Sequence, residues 1–283
     1  MKVKFKTDEL KGILEVVKKG MGKGVILPIT EFIEFTFLDG ALFVTSTDLT
    51  SWVTYKKEFE SDLEDEEEVS VIIHGDKLTQ LINKTTVPEV EIEILDDCVK
   101  IKGNGEYKVP TLQEEFPDYT FEPSGKSYDI NIAELKKAID ENKTSVSKDM
   151  IMTCLSGYYL SNKVITTDSI KMTINDIDVL GEDELLLPKE VADLLDILDR
   201  EVGVLEIGDG NLLIDTDNIT IFGPILDGIE EYPDLENIIS VDFPAEVELN
   251  IKNLTSVLER LDVFSEPYDV NVVELIFEPN FVT

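Results

Sequence analysis

The feature that most constrains this sequence is an internal repeat with a period of about 120 residues. An amphipathic helix pattern begins near Thr7 and returns near Asn131 and Asn250, and its matching leucines lie 125 and 119 residues apart. In each copy, Thr or Asn stands before apolar residues at helical spacing, which is typical of a helix N-cap. A chain with this period is predicted to consist of similar structural units.

Two other short motifs repeat in step with the helix. A Thr-Asp pair follows a β-rich run at Asp48 and again at Asp168, 120 residues later. An aromatic-Pro-Asp turn occurs at 116–118 and at 232–234, 116 residues later. Three independent markers with nearly equal spacing indicate that the whole unit repeats, not only the helix.

The markers predict three domains, at residues 1–123, 124–240 and 241–283. The third is expected to be an incomplete domain, because its Thr-Asp marker would fall just past Thr283.

Each unit is predicted to be an α+β domain in which two helices pack on an antiparallel sheet. Second-helix patterns occupy 76–83 and 188–198, the latter with proline at the helix start. Alternating or β-branched runs joined by turn signals such as Asp39-Gly40 are typical of antiparallel strands. In the first unit these runs are 31–37, 41–45, 52–59, 69–73, 90–95 and 99–102.

The charge balance argues against DNA binding at first sight, because phosphates require a basic surface. Sixty acidic residues oppose 25 basic ones, for a formal net charge of −35. The charges are unevenly distributed, however. An acidic run at 58–68 is predicted to be a solvated loop between two strands, whereas lysines gather in the helix patterns.

Several classes of function find no support in the sequence. No apolar run is long enough for a transmembrane helix, and the start lacks the apolar core of a signal peptide. The single histidine, His74, is interpreted as a turn residue, and no catalytic group, cofactor or metal ligand is assigned. Cys98 and Cys154 are interpreted as buried thiols in a reducing compartment, with a disulfide left open. Acidic pairs at 96–97 and at 215 and 217 are interpreted as solvated turns rather than Mg²⁺ ligands.

In order and spacing, these motifs resemble the bacterial DNA polymerase III beta subunit, the DNA sliding clamp. The matching pieces are Leu27-Pro28-Ile29, Thr47-Asp48-Leu49, Phe116-Pro117-Asp118, Ser156-Gly157, Thr167-Asp168 and Tyr232-Pro233-Asp234. Each piece is weak alone, and together they cover essentially the whole chain.

The resemblance implies tandem DNA-clamp domains built to form a ring, with two chains closing head to tail as a homodimer. Helices would line the hole and sheets would form the outside. The implied function is that of a processivity factor, which encircles duplex DNA without sequence specificity and tethers a replicative DNA polymerase. A clamp loader is a further implied partner. The chain would be cytoplasmic, without catalytic residues or membrane contact.

Lysines on the helices lining the hole would face DNA phosphates. Lys11 and Lys18 are seven residues apart and share a helix face, as do Lys77 with Lys84 and Lys136 with Lys143. The full set of DNA-facing candidates is Lys11, Lys18, Lys19, Lys23, Lys77, Lys84, Lys136, Lys143 and Lys148. Exposed lysines on amphipathic helices are also common without any DNA contact.

The resemblance also implies a pocket for short peptides from polymerases and the clamp loader. Carried over position by position, the pocket residues are Leu155, Thr167, Ser169, Ile170, Lys171, Met172 and Pro233. The family's usual Gly-His-Arg-Leu after Thr-Asp is replaced here by 169–172, which puts selectivity in doubt. Leu155 and Met172 could equally be core residues.

The alternative hypothesis is a clamp-derived acidic interaction protein, or a DNA mimic, that forms no ring. A head-to-tail ring needs complementary surfaces on both ends of each chain. The expected incompleteness of the third domain keeps this alternative open.

Overall fold

The computed structural model describes residues 1–22, 27–58, 68–148, 152–234, 238, 246–266, 272–278 and 281–282. The chain divides into two compact units, residues 1–232 and residues 233–283. The larger unit contains both complete copies of the repeat. Lys23 and most of the acidic run, at 59–67, lie outside the described residues.

Among the described residues, the first copy of the repeat contains the two predicted helices and eight strands, of which the first and the last lie outside the six predicted runs. Its elements are β1 Lys2–Lys6, α1 Thr7–Val17, β2 Phe32–Leu38, β3 Ala41–Thr47, β4 Trp52–Glu58, β5 Val69–His74, α2 Gly75–Asn83, β6 Glu89–Ile94, β7 Cys98–Lys102 and β8 Glu106–Leu112. Asp39 and Gly40 both have positive φ angles in the β2–β3 hairpin, which confirms the predicted turn.

The second copy follows the same order. Its elements are β9 Pro123–Asn131, α3 Ile132–Asn142, β10 Gly157–Leu160, β11 Val164–Thr167, β12 Met172–Asn175, β13 Leu185–Pro188, α4 Lys189–Leu194, β14 Val202–Gly208, β15 Asn211–Asp215 and β16 Ile219–Pro224. Short 3₁₀ turns lie at Lys18–Gly20, Pro28–Glu31, Lys143–Ser145, Thr153–Ser156, Leu195–Ile197 and Ile229–Glu231. The predicted α+β class is confirmed.

Antiparallel pairing joins twelve of these strands into one sheet that runs through both copies. The order is β1-β6-β7-β8-β5-β2-β3-β4-β16-β15-β14-β9, and β12-β11-β10-β13 form a separate sheet of four. The join is the pairing of β4 with β16, in which Tyr55 lies opposite Ile219 and Trp52 opposite Phe222. We call this β4–β16 junction the seam.

An aromatic cluster packs at one end of the seam. Trp52 is only 8% exposed, and its ring lies 5.6 Å from Phe222 and 5.7 Å from Tyr119. Its indole N–H donates a hydrogen bond to the Pro117 carbonyl oxygen at 2.9 Å. The repeated aromatic-Pro-Asp segment therefore runs beside the seam and is held there by a buried side chain.

The helices are amphipathic, and their apolar faces build two separate cores. In the first copy, Leu10, Ile13, Leu14 and Val17 of α1 are buried together with residues of β1 to β3 and β5 to β8. The second core contains Leu135, Ala138 and Ile139 of α3 with residues of β9 to β11 and β13 to β16, and it also includes Val53 of β4, across the seam. The boundary between 123 and 124 remains a prediction.

Two local predictions were wrong. Thr7 is not the N-cap of α1 but its first helical residue, and its hydroxyl donates to the Val87 carbonyl oxygen at 2.6 Å. Asn131, by contrast, is the N-cap of α3 and accepts from the Glu134 amide. His74 closes β5 instead of lying in a turn, with its ring 5.2 Å from Phe32.

The smaller unit contains the third copy of the helix, α5 Ile251–Asp262, which Asn250 caps through the Asn253 amide. Two short strands, β17 Phe277–Glu278 and β18 Phe281–Val282, pair as a hairpin. Of the β-branched and apolar run at 272–277, only Phe277 lies in a strand. Across the described segments of the chain, no helix has the length and apolar character needed to span a membrane.

Candidate functional site

The helical segments differ from the rest of the chain in charge. Residues 7–20, 75–84, 132–145 and 189–197 together carry nine lysines and ten acidic residues. These segments are nearly neutral in a chain with a formal net charge of −35. The helices therefore repel phosphate less than the chain as a whole does.

Two of the predicted DNA-facing lysines donate hydrogen bonds to backbone carbonyl oxygens. Lys11 Nζ on α1 donates to the Thr85 carbonyl oxygen at 3.2 Å, just after α2 ends. Lys136 Nζ, at the matching position of α3, donates to the carbonyl oxygens of Asp196 and Leu198 at 3.3 and 3.1 Å. Lysine donors at helix C-terminal carbonyls stabilise the helix end. Both lysines thus tie the first helix of their copy to the second.

Two other candidates form ion pairs. Lys18 Nζ lies 2.8 Å from the Asp76 carboxylate, and Lys143 pairs with Asp140. Hydrogen bonds from these lysines to the carboxylates raise the pKa of each lysine above its usual value. The acidic partner partly cancels the positive charge that either lysine could offer to a phosphate.

Lys19, Lys77, Lys84 and Lys148 are exposed and form no ion pair with any residue that the structure describes. Their ammonium groups are therefore the most available cations among the candidates.

The first Thr-Asp motif forms a hydrogen-bonded turn between β3 and β4. Thr47 Oγ1 donates to the Ser51 carbonyl oxygen at 2.7 Å and accepts from the Leu49 amide at 2.8 Å. Asp48 Oδ1 accepts from the amides of Thr50 and Ser51 at 2.9 and 2.7 Å. Leu49 has a φ of 73°, a left-handed conformation that the surrounding hydrogen bonds hold in place.

The second Thr-Asp motif forms the same turn between β11 and β12. Thr167 Oγ1 donates to the Lys171 carbonyl oxygen at 2.9 Å and accepts from the Ser169 amide at 3.1 Å. Asp168 Oδ1 accepts from Ile170 and Lys171 amides at 3.1 and 2.9 Å, and Ser169 has a φ of 72°. The motif repeats because Thr and Asp together satisfy the backbone of this tight turn.

The residue before each motif also has a repeated role. Ser46 donates from its buried hydroxyl to the Val17 carbonyl oxygen at the end of α1. Thr166 donates from its buried hydroxyl to the Asn142 carbonyl oxygen at the end of α3, at 2.9 Å. Each Thr-Asp turn is therefore fixed to the first helix of its copy, as well as to its own strands.

The structure brings most of the predicted peptide-binding residues into or beside this second turn, which we call the Asp168 turn (167–171). Met172 opens β12 directly opposite Thr167, and Ile170 is 94% exposed at the tip of the turn. Leu155 is only 1% exposed in its 3₁₀ turn, so its side chain has no surface to offer in this conformation. Pro233 belongs to the smaller unit. The assignment of these residues to peptide binding remains a prediction.

A pair of stacked tyrosines was missed by the sequence reasoning. Tyr159 and Tyr232 stack with ring centroids 5.0 Å apart, and the Tyr232 hydroxyl donates to the Ile165 carbonyl oxygen at 3.4 Å. Burial raises the pKa of Tyr159 to about 12. The aromatic residue of the second aromatic-Pro-Asp segment could have signalled such packing, because large aromatic side chains dominate cores.

The Asp168 turn should respond to acid. Amide hydrogen bonds, from Lys171 first and Ile170 second, hold the pKa of the Asp168 carboxyl below its usual value. Because its pKa is lower in the folded state, this carboxyl stabilises the turn fully at pH values above its unfolded pKa of about 3.9. The stabilisation is lost as the pH falls through the folded-state pKa. NMR should show the amide shifts of Ile170 and Lys171 titrating below that value.

Asp168→Ala should shift both amides at neutral pH, whereas Asp209→Ala, in the exposed β14–β15 turn, should leave them in place. If the amide shifts of Ile170 and Lys171 changed neither at low pH nor in Asp168→Ala, this account of the turn would be wrong.

Within the described segments, no group of three or more His, Cys, Asp or Glu side chains is arranged to hold a metal ion. Cys98 and Cys154 are both free thiols, as interpreted, but only Cys154 is buried and Cys98 is partly exposed. Burial raises the pKa of the Cys98 thiol, which disfavours the reactive thiolate.

No family model matches the chain. Curated relatives do match along nearly its full length. The beta sliding clamp of Bacillus subtilis is 23% identical over 298 aligned residues, which cover 99% of this chain and 78% of the relative. The beta sliding clamp of Chlamydia muridarum is 21% identical, covering 100% of this chain and 79% of the relative.

Solved structures share the fold. The DNA polymerase sliding clamp of Bacillus subtilis superposes with a TM-score of 0.87 at 22% identity, covering 99% of this chain and 78% of that one. The Helicobacter pylori beta clamp bound to a DNA ligase peptide gives a TM-score of 0.79 at 20% identity, with 94% and 77% covered. This chain is a divergent relative of the bacterial beta sliding clamps.

Proposed function

We propose that the chain is a DNA sliding clamp subunit, a processivity factor that encircles duplex DNA and tethers a DNA polymerase. The seam is the observation that carries this proposal. It joins one repeat to the next through the edges of their sheets, so the sheet continues from copy to copy, and Val53 of β4 packs into the second core across the junction. Units joined edge to edge in this way can continue into a ring that closes around a duplex.

The charge distribution supports DNA on the helical side. Phosphates would meet nearly neutral helical segments bearing the exposed cations Lys19, Lys77 and Lys84, with Lys148 just beyond the α3 segment, while the net acidic remainder of the chain would repel DNA. Phosphate contacts carry no sequence information, which suits a protein that slides. Lys11, Lys18, Lys136 and Lys143 would contribute less, because carbonyl or carboxylate groups already occupy their ammonium groups.

The Asp168 turn is proposed to receive short peptides from the replicative polymerase and the clamp loader. Ile170 offers an exposed apolar side chain, and beside it Lys171 lies 3.7 Å from the Asp168 carboxylate, which partly cancels its charge. The related Helicobacter pylori clamp has been solved with a DNA ligase peptide. The ring itself is proposed to be a head-to-tail homodimer of three-domain chains that acts in the cytoplasm and has no catalytic role.

Retention on circular DNA tests the proposal directly. The protein would be loaded on nicked circular plasmid by the clamp loader of its source organism, then separated from free protein by gel filtration. A clamp should stay with the circle and be released when the plasmid is linearised, because only a closed ring is linked topologically.

Light scattering provides the companion measurement, with a dimer as the expected mass. Equal retention on circular and linear DNA, or a strict monomer that binds protein but never DNA, would favour the acidic interaction protein or DNA mimic instead.

A further inference from the structure

A groove of about 730 Å³ opens in the first copy of the repeat, on strands other than the two that form the seam. It lies between β5 and the segment that leaves β8, with the end of β6 along one wall. Its lining comes from Glu34 of β2, the first half of β5, residues 94–96 and residues 111–116. The volume lies within the range of pockets that hold small ligands or peptide side chains.

The groove exists because the sheet splits at this point. β5 pairs with β8 only through Ile72 opposite Leu112 and Ile73 opposite Thr111. If the register continued, 69–71 would face 113–115, but β8 ends at Leu112. The start of β5 is therefore left as a strand edge along the groove, without a neighbouring strand on that side among the described residues. A strand edge is a template for pairing with an extended peptide.

The groove is strongly acidic. Its lining includes Glu34, Asp96, Glu114 and Glu115, and none of its lining residues is basic. Ser70 Oγ donates to the Glu34 carboxylate at 2.7 Å. Burial raises the pKa of Glu34, and repulsion from Glu68 adds to the effect although the Ser70 hydrogen bond opposes it. A cation placed here would relieve repulsion between the carboxylates.

The groove also has an apolar part. Leu95 is 39% exposed at the end of β6, and Ile94, Leu112 and Phe116 line the walls beside it. Gln113 fixes the rim by donating to the Asp96 carbonyl oxygen at 2.9 Å. Successive side chains of an extended strand point to opposite faces. A bound strand could therefore place one set of side chains against the apolar walls and the alternate set toward the acidic rim.

We propose that this groove docks an extended peptide segment of a partner protein in which Lys or Arg alternates with apolar residues. The peptide would pair with the edge of β5, place its apolar side chains against Leu95 and Leu112, and direct its cations at Glu114 and Glu115. This inference is independent of the proposed function, because it concerns a different part of the larger unit.

Charge complementarity selects this occupant over the alternatives. The neighbouring segment of the chain, at 59–67, is itself acidic and would be repelled. DNA would be repelled for the same reason. Glu68, directly before β5, adds to the negative charge around Glu34, which would speed the approach of a basic partner.

The probe for this proposal is a short fluorescein-labelled peptide of alternating lysine and valine, followed by fluorescence anisotropy. A lysine-only peptide and an alternating glutamate-valine peptide are the controls. The alternating basic peptide should bind at least about tenfold tighter than either control. Equal binding of the lysine-only peptide would overturn the proposal, since charge alone would then explain the signal.

Matched variants locate the site. Glu114→Lys with Glu115→Lys should weaken binding about tenfold or more, whereas Glu182→Lys with Asp209→Lys makes the same charge change at exposed residues elsewhere and should not. Leu95→Ser should weaken binding several-fold, and Val202→Ser, at another exposed apolar residue, should leave it unchanged. Equal losses in site and control variants would place the peptide outside this groove.

N-methylation tests the strand geometry in the wild-type protein. Methylating one alternate set of peptide amides should abolish binding and methylating the other should not, because only one set can face the edge of β5. If both methylated peptides bind like the parent, the peptide does not pair with β5 and the proposal fails.

Discussion

Trp52→Ala is expected to lower the free energy of unfolding by about 3–5 kcal/mol, the usual cost of removing a buried tryptophan. Trp52 packs on Phe222 of β16 and on Tyr119 of the connecting segment, so its removal leaves a cavity at the end of the seam. It also leaves the Pro117 carbonyl oxygen without its indole donor. Urea unfolding followed by circular dichroism measures the effect without depending on tryptophan fluorescence.

Two variants separate packing from general damage to the sheet. Trp52→Phe keeps an aromatic ring and should lower the free energy of unfolding clearly less than Trp52→Ala does. About 0.5–1.5 kcal/mol of that loss would come from the missing hydrogen bond to the Pro117 carbonyl oxygen. Tyr107→Ala removes an exposed aromatic side chain from β8 of the same sheet and should stay within about 0.5 kcal/mol of the wild type. If Trp52→Ala were as mild as Tyr107→Ala, the aromatic cluster would not hold the seam.

The second large effect is expected on DNA binding. Replacing Lys19, Lys77 and Lys84 together with alanine should reduce affinity for duplex DNA by up to about two orders of magnitude at 0.1 M salt, if each side chain binds one phosphate. The slope of log K against log salt concentration should become shallower by about 0.9 for each phosphate that is no longer neutralised. Fluorescence anisotropy with a labelled duplex at several salt concentrations gives both quantities.

The control uses three lysines on strands. Lys4, Lys56 and Lys108 are also exposed and form no ion pair with a described residue, and they lie on β1, β4 and β8. Their combined replacement by alanine makes the same change in net charge and should leave the salt slope nearly unchanged. If both triple variants reduced the slope equally, the helices would not be the DNA-facing surface.

The two copies of the repeat share a set of hydrogen bonds. Ser46 and Thr166 bind the ends of their helices, Thr47 and Thr167 close the same turn, and Lys11 and Lys136 reach the end of the second helix in their copies. The sequence period of about 120 residues thus corresponds to a repeated hydrogen-bond network. The chain differs from its relatives at most positions, yet this network is the same in both of its own copies.

The sequence by itself determined the local elements. Period-two runs marked the strands of the first copy, Asn131 marked the start of α3, and Asp39-Gly40 marked a hairpin, because each depends on nearby residues alone. The repeat and the order of its motifs were enough to indicate the fold and the family resemblance. Thr7 was predicted as the N-cap of α1 but is its first helical residue, because its hydroxyl donates to the carbonyl oxygen of Val87, eighty residues away.

Only the tertiary structure decided what depends on distant partners. It showed that Lys11 and Lys136 are held by carbonyl groups, that Leu155 is buried, and that β4 pairs with β16 across the repeats. It also showed the acidic groove where β8 leaves β5. The sequence pattern tells which face of an element is apolar, but the availability of a lysine or a strand edge depends on which groups the folded chain brings beside it.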